Sequence, residues 1–282
     1  MQTQARPASD AAPSAHEPPL ASAAPAVPGS CGSIVERDHV HSVETEVSDL
    51  DERGLLKPHA YQKLFGRIAE EHLNLLGLNV ETTLRHQLAW ALVTMSLEIV
   101  RPVTGCIRLH ATTWYSQRRG PYFRRELVFR TEDGEIAFHG SSFSVLLDVE
   151  SRTVFRRKTL PFEIGEPLEV FTIEAGPALE RRDGFVPVET RTVRNSHLDA
   201  LGHVNNTRYG EFAHDALTEA ECRNLAGLGR IDLAFVSELR RGDAFSVWKT
   251  AADERICVQG RNEETGGISF ECHFTFRHPD AG

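Results

Sequence analysis

Cysteine is scarce in this chain, and the cysteines that are present form no pattern. The five residues are scattered and include no Cys-x-x-Cys pair: Cys31, Cys106, Cys222, Cys257 and Cys272. This spacing argues against a zinc ribbon and a disulfide framework, and it is typical of proteins from a reducing compartment. We therefore expect a cytoplasmic protein with no metal site and no cofactor.

Long apolar runs and an excess of positive charge are also missing. The most apolar stretch, Leu88 to Val100, contains Glu98 and is shorter than the roughly 18 residues of a membrane span, so it predicts a buried strand. The net charge is -9, whereas a general nucleic-acid binder needs surplus Lys and Arg. The N-terminus has no positively charged start before an apolar segment, so no secretory signal is expected.

What the chain does have at its start is alanine and proline. They make up fifteen of the first 28 residues. Such a segment buries too little apolar surface to offset its ordering entropy. We predict a disordered tail over residues 1–39.

The strongest internal signal is a repeat. Ser48–Gly54, with the sequence SDLDERG, is followed seven residues later by Tyr61, and Ser196–Gly202, with the sequence SHLDALG, is followed seven residues later by Tyr209. The two segments lie 148 residues apart, align without a gap and share Ser, Leu, Asp, Gly and Tyr. The chain is therefore predicted to contain two copies of one unit.

Each copy of the repeat leads into an apolar stripe with helical spacing. The first stripe is Tyr61, Leu64, Phe65, Ile68, Ala69 and His72, and the second is Tyr209, Phe212, Ala213, Ala216, Leu217 and Ala220. Pro58 suits the first turn of the first helix and Gly77 suits its end.

Strand-like segments surround each predicted helix, with Gly-containing turns between them. In the first unit they are His41–Val47, Leu88–Ile99, Thr104–Tyr115, Tyr122–Thr131 and Glu135–Leu147; in the second they are Val188–Arg194, Arg230–Ser237, Ala244–Thr250, Arg255–Gly260 and Ile268–Phe276. One helix with an antiparallel sheet, twice, predicts an α+β duplication. Its units span residues 40–158 and 187–277, and a Pro-containing linker spans residues 159–186.

The segment from Leu198 to Tyr209, LDALGHVNNTRY, lies between a predicted strand and a predicted helix. It resembles the signature of hotdog-fold thioesterases. The resemblance implies a tandem, or double, hotdog, in which each antiparallel sheet wraps around a long central α-helix. It also implies hydrolysis of an acyl thioester.

Landmarks in the first unit narrow the resemblance to plant and bacterial acyl-ACP thioesterases. They are LAWAL at 88–92, TTW at 112–114 and SSFSVLLD at 141–148. The resemblance implies hydrolysis of acyl-ACP to free fatty acid in fatty acid biosynthesis, with acyl carrier protein as the partner. It also implies an acyl-chain pocket in the first unit, to which we assign Trp90, Leu92 and Met95, although Trp90 and Trp114 also suit a core position.

Asp199 is the candidate general base or nucleophile, because it lies just before the second predicted helix. Backbone N–H groups near Gly202 to Val204 are the candidate donors to the oxyanion. A turn-forming or capping Asp is the simpler interpretation, and Asp51 at the equivalent position of the first copy favours it.

By resemblance, His203 matches the active-site His of the family and Glu238 matches its Glu. Two residues depart from the family pattern: Leu201 stands where an Asn is usual, and Leu239 stands where a Cys often follows the Glu. Asn205 is a candidate replacement for the lost amide. The simpler roles are a packing residue for His203, an N-cap for Asn205 and a solvated charge for Glu238.

Acyl carrier protein is acidic, so a chain of net charge -9 needs a local basic surface to bind it. The candidates are Arg118, Arg119, Arg124 and Arg125; Arg156, Arg157 and Lys158; and Arg240 and Arg241. An acyl-CoA thioesterase, a hotdog dehydratase and a non-catalytic acyl-binding protein remain alternatives. The sequence leaves the acyl-chain preference open, and either a monomer or a homodimer fits it.

Overall fold

The structure, a computed structural model, describes residues 40–174, 183–252 and 254–277. The predicted tail over residues 1–39 lies outside the described residues, as does Cys31. Within the described ranges no helix has the length and hydrophobicity of a transmembrane span.

The described residues form ten strands and four α-helices. The strands are β1 (Val40–Glu44), β2 (Leu88–Ile99), β3 (Arg108–Arg119), β4 (Tyr122–Thr131), β5 (Ile136–Asp148), β6 (Val186–Thr192), β7 (Leu228–Phe235), β8 (Ala244–Ala252), β9 (Arg255–Asn262) and β10 (Ile268–Phe276). The helices are α1 (Pro58–Leu75), α2 (Val80–Arg85), α3 (Asn206–Asp215) and α4 (Glu219–Arg223).

All ten strands belong to one antiparallel sheet, whose order displays the repeat. The order is β1-β3-β4-β5-β2-β7-β10-β9-β8-β6, so the second half repeats the first in reverse. The halves join where β2 pairs with β7, with Met95 opposite Leu233. Each half combines five strands with a helix that follows its first strand, and α1 packs against α3. The predicted tandem hotdog fold is confirmed.

Helix α1 follows its sequence pattern closely. Pro58 occupies its first turn, and Gly77, with φ +69°, lies just past its end. The predicted stripe faces the sheet, since Tyr61, Leu64, Phe65 and Ile68 are each at most 2% exposed. Burying a side chain of this size stabilises the fold by about 1.5–3 kcal/mol, so this face fixes α1 on the core.

The second helix is shorter than predicted. α3 ends at Asp215, and the stripe residue Ala220 belongs to α4. The hydroxyl of Thr218 accepts the N–H of Glu221 while the Glu221 side chain accepts the N–H of Thr218, which forms a capping box. A capping box starts a new helix, so the prediction that one helix reaches Ala220 was wrong.

Most predicted strands agree with the structure, but β3 begins four residues later than expected. The residues before it are held by the first repeat instead of by the sheet. The N–H of Leu56 donates to the carbonyl of Val103 at 2.9 Å, and the N–H of Val103 donates to the Tyr61 hydroxyl at 3.0 Å. This loop therefore fastens the first repeat to the sheet.

The end of the segment after β5, residues 170–174, crosses the outer face of the sheet, away from the helices. Trp114 Nε1 donates to the carbonyl of Val170 at 3.0 Å. Glu126, which is fully buried, accepts the N–H and the hydroxyl of Thr172 at 3.0 Å and 2.7 Å. Arg230 then donates to the carbonyl of Glu174 at 3.1 Å, so this segment reaches from the first half to the second.

Candidate active site

Asp199 closes a tight turn between β6 and α3. Its Oδ1 accepts the N–H groups of Leu201 at 2.8 Å and of His203 at 3.1 Å. Its own N–H donates to the carbonyl of His203 at 2.8 Å. The turn needs the left-handed backbone of Gly202, where φ is +80° and a side chain is disfavoured. Asp199 therefore caps a turn ahead of α3, which begins at Asn206.

The first copy contains the same turn. Asp51 Oδ1 accepts the N–H groups of Arg53 and Leu55, both at 2.9 Å, and Gly54 has φ +77°. Here, however, the second carboxylate oxygen is taken, because Arg53 Nη2 lies 2.8 Å from Asp51 Oδ2. Burial raises the pKa of the Asp51 carboxyl, but the Arg53 side chain and the two N–H donors outweigh it and hold the pKa below its ordinary value.

Asp199 has no such cation. Leu201 stands at the position equivalent to Arg53 and is 44% exposed. Among the described residues no side chain forms an ion pair or hydrogen bond with Asp199 Oδ2. The same backbone turn thus holds a paired carboxylate in the first unit and a carboxylate with one open oxygen in the second.

A buried leucine and a tyrosine fasten the second turn to the core. The N–H of Val204 donates to the carbonyl of Leu239 at 2.9 Å, and the N–H of Leu239 donates to the Tyr209 hydroxyl at 3.3 Å. Leu239 is fully buried, and burial raises the pKa of Tyr209 above its ordinary value. The leucine in place of the family Cys is therefore part of the core and supports the site through its backbone.

His203 and Glu238, the two residues matched to the family's His and Glu, lie beside each other. His203 Nε2 is 3.5 Å from Glu238 Oε2, and Arg240 Nη2 is 3.8 Å from the same oxygen. Arg152, from the turn after β5 in the first half, also donates to Glu238 Oε2. No sequence signal pointed to Arg152, because its contact spans the two halves of the chain.

Asn205 is the N-cap of α3. Its Oδ1 accepts the N–H of Thr207 at 2.9 Å and the Thr207 hydroxyl at 2.7 Å. The simpler interpretation of this residue therefore holds for its carbonyl oxygen. Its Nδ2 donates to no atom of the described residues. The N–H groups of the side-chain amide are therefore available to a ligand.

The predicted oxyanion donors are occupied. The N–H of Gly202 donates to the carbonyl of Asp199 at 3.1 Å, the N–H of His203 donates to Asp199 Oδ1, and the N–H of Val204 donates to Leu239. The assignment of Gly202 and Val204 as oxyanion donors was wrong, because closing the turn and fastening it to the core uses their N–H groups. The first residue of α3, Asn206, is exposed, and its N–H has no acceptor earlier in the helix.

The predicted pocket residues lie along β2 but divide between two groups of apolar side chains. Met95 is 2% exposed and belongs to the main core between sheet and helices, against which Leu92 packs. Trp90 packs on a second cluster formed by Leu88, Phe123 and Leu146. These three residues therefore mark a stretch of β2 where one cluster ends and the other begins.

Five of the six arginines assigned to carrier docking in the site prediction remain at least partly accessible, and Arg124 was placed wrongly because it is buried. Neighbours on a strand face opposite sides of the sheet. Arg124 is 7% exposed on the outer face, 2.5 Å from Glu126 Oε1. Arg125 faces the helices and lies 2.7 Å from His72 Nδ1. Arg118 and Arg119 are partly buried, and Arg240 and Arg241 are exposed.

One group of buried side chains has the composition of a metal site. Donor atoms of Cys257, Glu271 and His273 lie within 4.8 Å of one another. The carboxylate of Glu271 is already engaged, since His273 Nε2 lies 2.5 Å from its Oε1 and Gln259 donates to its Oε2. These bonds account for the buried carboxylate without an ion, and the expectation of no metal stays a prediction.

Comparison with known proteins places both halves in one family. The model of the acyl-ACP thioesterase N-terminal domain matches residues 36–159, and the model of the C-terminal domain matches residues 186–277. No curated protein matches the chain.

Solved structures share the fold at low sequence identity. An acyl-ACP thioesterase from Bacteroides thetaiotaomicron is 18% identical, with a TM-score of 0.68 over 84% of this chain and 98% of that one. The 12:0-ACP thioesterase from Umbellularia californica is 15% identical, with a TM-score of 0.67 over 84% of this chain and 97% of that one. Because the two family models together cover most of the sequence, the chain belongs to the acyl-ACP thioesterase family, and its reaction is the hydrolysis of acyl-ACP thioesters to free fatty acid.

Proposed function

We propose that acyl-ACP is hydrolysed at the turn around Asp199 in the second unit, with Asp199 as the general base. One observation supports this assignment above the others. The repeat places the same turn at Asp51 and Asp199, and Arg53 pairs with the first carboxylate, whereas Oδ2 of the second has no partner among the described residues. An unpaired carboxylate oxygen is what a general base needs.

In the proposed reaction, Asp199 Oδ2 takes a proton from a water molecule. The water oxygen bonds to the thioester carbon, and the carbonyl oxygen becomes an oxyanion. When the carbon–sulfur bond breaks, the thiolate of the carrier leaves and takes up the proton, either from Asp199 or through His203. The products are a free fatty acid and the thiol of the carrier, and the carboxylate is restored.

The oxyanion requires donors other than the turn amides. The two that the geometry leaves are Asn205 Nδ2 and the backbone N–H of Asn206, which carries the positive end of the α3 dipole. His203, held 3.5 Å from Glu238, is proposed to orient the water. Glu238 positions that imidazole and is not itself assigned a contact with substrate.

The other functions are assigned to separate segments of the chain. We place catalysis in residues 187–277 and the acyl pocket in residues 40–158, with residues 159–186 as the connection between them. Trp90, Leu92 and Met95 line the proposed pocket. Carrier docking is assigned to two basic groups: Arg118 and Arg119 with Arg156, Arg157 and Lys158, and Arg240 with Arg241.

The test compares Asp199→Asn with Asp51→Asn, its matched control in the repeat. Asparagine keeps the Oδ1 acceptor, so either turn can still close. Thiol release from acyl-ACP should fall by about 10²- to 10⁴-fold in Asp199→Asn and stay near wild type in Asp51→Asn. Wild-type turnover in Asp199→Asn would reject the assignment. Matched acyl-ACP and acyl-CoA substrates show which carrier is preferred.

A further inference from the structure

Arg125 lies inside the first unit, on the side of the sheet that faces α1. Its Nη1 is 2.7 Å from His72 Nδ1 in the last turn of α1, and it donates to the hydroxyl of Thr113, a fully buried residue of β3, at 3.1 Å. Strand pairing sets Arg125 opposite Ser142, and Ser142 opposite Met95. Directly opposed residues share a face, so Arg125 and Met95 lie on the same side, two strands or about 10 Å apart.

The apolar surface on this side of the sheet is interrupted near Arg125. The main core and the cluster of Leu88, Phe123 and Leu146 are separate. Side chains along the boundary keep part of their surface accessible although they lie on inner strands of the sheet: Trp90, Leu92, Tyr115 and Arg125. We take this boundary between the two packed clusters as a crevice. It coincides with the acyl pocket assigned above, so the inference rests on that part of the proposed function.

The guanidinium in this crevice is not neutralised by the protein. Its neighbour Arg124 meets the buried carboxylate of Glu126, but no carboxylate of the described residues pairs with Arg125. Burial lowers its pKa to about 10, which still leaves it charged at neutral pH. His72 and Thr113 engage only Nη1, so Nε and Nη2 are left for an anion, and a partly buried cation without an anion is destabilised.

We infer that Arg125 binds a second carboxylate, at the far end of the acyl chain, so that ω-carboxyacyl thioesters belong to the substrates of this enzyme. The guanidinium offers Nε and Nη2 beside the apolar wall of β2. A carboxylate matches that fork in charge and geometry. The methylene chain would lie against Leu92 and Met95, with the thioester toward the second unit.

The experiment uses the full chain with plain and ω-carboxyacyl-ACP of equal carbon number. The measured quantity is the ratio of kcat/KM for the carboxylated substrate to that for the plain one. The ratio should exceed one for the wild type and fall at least about tenfold in Arg125→Met, because one charge-assisted pair is lost. Arg125→Lys, which keeps the charge without the fork, should give an intermediate ratio.

A wild-type preference for the plain chain, or an unchanged ratio in Arg125→Met, would overturn the inference. A binding measurement tests the inference about Arg125 separately from the proposed reaction. Calorimetry compares the affinity for ω-carboxyacyl-ACP of Asp199→Asn, in which turnover is expected to be slow, with that of the double variant Asp199→Asn/Arg125→Met. If Arg125→Met does not fold, the kcat/KM ratios of the wild type and of Arg125→Lys still test the inference. Failure of the Asp199 assignment shows up as undiminished turnover in Asp199→Asn, and the kcat/KM ratios of the wild type and the Arg125 variants then still test the inference.

Discussion

Arg152 of the first unit and Glu238 of the second form an ion pair that joins the two hotdogs beside the proposed site. Arg152 adopts a left-handed backbone with φ +55°, in a turn closed by its N–H to the carbonyl of Asp148 at 2.8 Å. Glu238 is also the neighbour of His203. A turn of the first unit therefore holds the carboxylate that neighbours His203 in the second unit.

Removing this arginine should affect turnover more than stability. The paired side chains are 45% and 39% exposed, and pairs that exposed contribute about 0–1 kcal/mol. In Arg152→Ala we expect Tm to change little and kcat/KM on acyl-ACP to fall by about tenfold, or about 1.4 kcal/mol in the barrier. Arg101→Ala, which breaks the exposed pair with Glu135, is the control and should keep its activity. Equal activities in the two variants would contradict a role for Arg152 at the site.

Truncating the two repeated aspartates separates their structural role from the catalytic one. Alanine at position 51 or 199 removes the acceptor for two backbone N–H groups, and losing such a cap costs about 0.5–2 kcal/mol. Urea denaturation should show a loss of this size in both variants, whereas only Asp199→Ala should lose acyl-ACP hydrolysis. If Asp199→Asn recovers the activity that Asp199→Ala loses, the residue serves the turn alone.

Local sequence patterns predicted those features of the fold that are set by residues close together in the chain, such as turns, helix faces and strands. The repeat placed Asp51 and Asp199 in equivalent turns, and helical spacing predicted the buried face of α1. The pattern Thr-x-x-Glu at Thr218 and Glu221 was a local signal for the start of α4, but the apolar stripe that continues to Ala220 concealed it. Because side chains alternate between the two faces of a strand, the sequence of β4 also indicated that Arg124 and Arg125 lie on opposite sides of the sheet.

Contacts between distant segments were beyond such patterns. The N–H of Val204 is occupied because the carbonyl of Leu239 returns to it, and no spacing within either segment indicates that pairing. The contact of Arg152 with Glu238 joins residues of different units. The charge on Arg125 becomes informative only when the structure shows His72 and Thr113 as its neighbours and no carboxylate of the described residues beside it.

Two histidines between α1 and α3 should make stability depend on pH. The rings of His59 and His214 lie 5.4 Å apart. Burial, followed by the charge of His214, lowers the pKa of His59 to about 4 from 6.5, and burial lowers that of His214. Because the unfolded chain then binds more protons below pH 6.5, stability falls as the pH falls toward 4.

The contribution of His59 to this loss should be about 2 kcal/mol between pH 7 and pH 5. The free energy of unfolding in urea, measured across that range, gives the slope. In His59→Gln, which cannot be protonated at this position, the loss of stability between pH 7 and pH 5 should be smaller by about 2 kcal/mol. A variant with the same slope as the wild type would show that another group causes the pH dependence.

The exposed basic segment Arg156–Lys158 is expected to bind the acidic carrier. Arg118 donates to the carbonyls of Arg157 and Lys158, both at 3.0 Å, so the segment is held while its three charged side chains remain exposed. Reversing two charges in Arg156→Glu/Arg157→Glu should raise KM for acyl-ACP by about tenfold at low salt, with kcat unchanged, because long-range attraction steers association.

Salt and a charge-matched variant separate docking from a general effect of net charge. The difference in KM between this double variant and the wild type should shrink near 0.5 M salt, since the Debye length is already about 10 Å at 0.1 M. Arg67→Glu/Arg85→Glu changes the net charge equally at exposed sites on α1 and α2 and should leave KM near the wild-type value. An equal rise of KM in both double variants would mean that total charge governs the encounter with the carrier, and the assignment of Arg156–Lys158 as a docking surface would then be wrong.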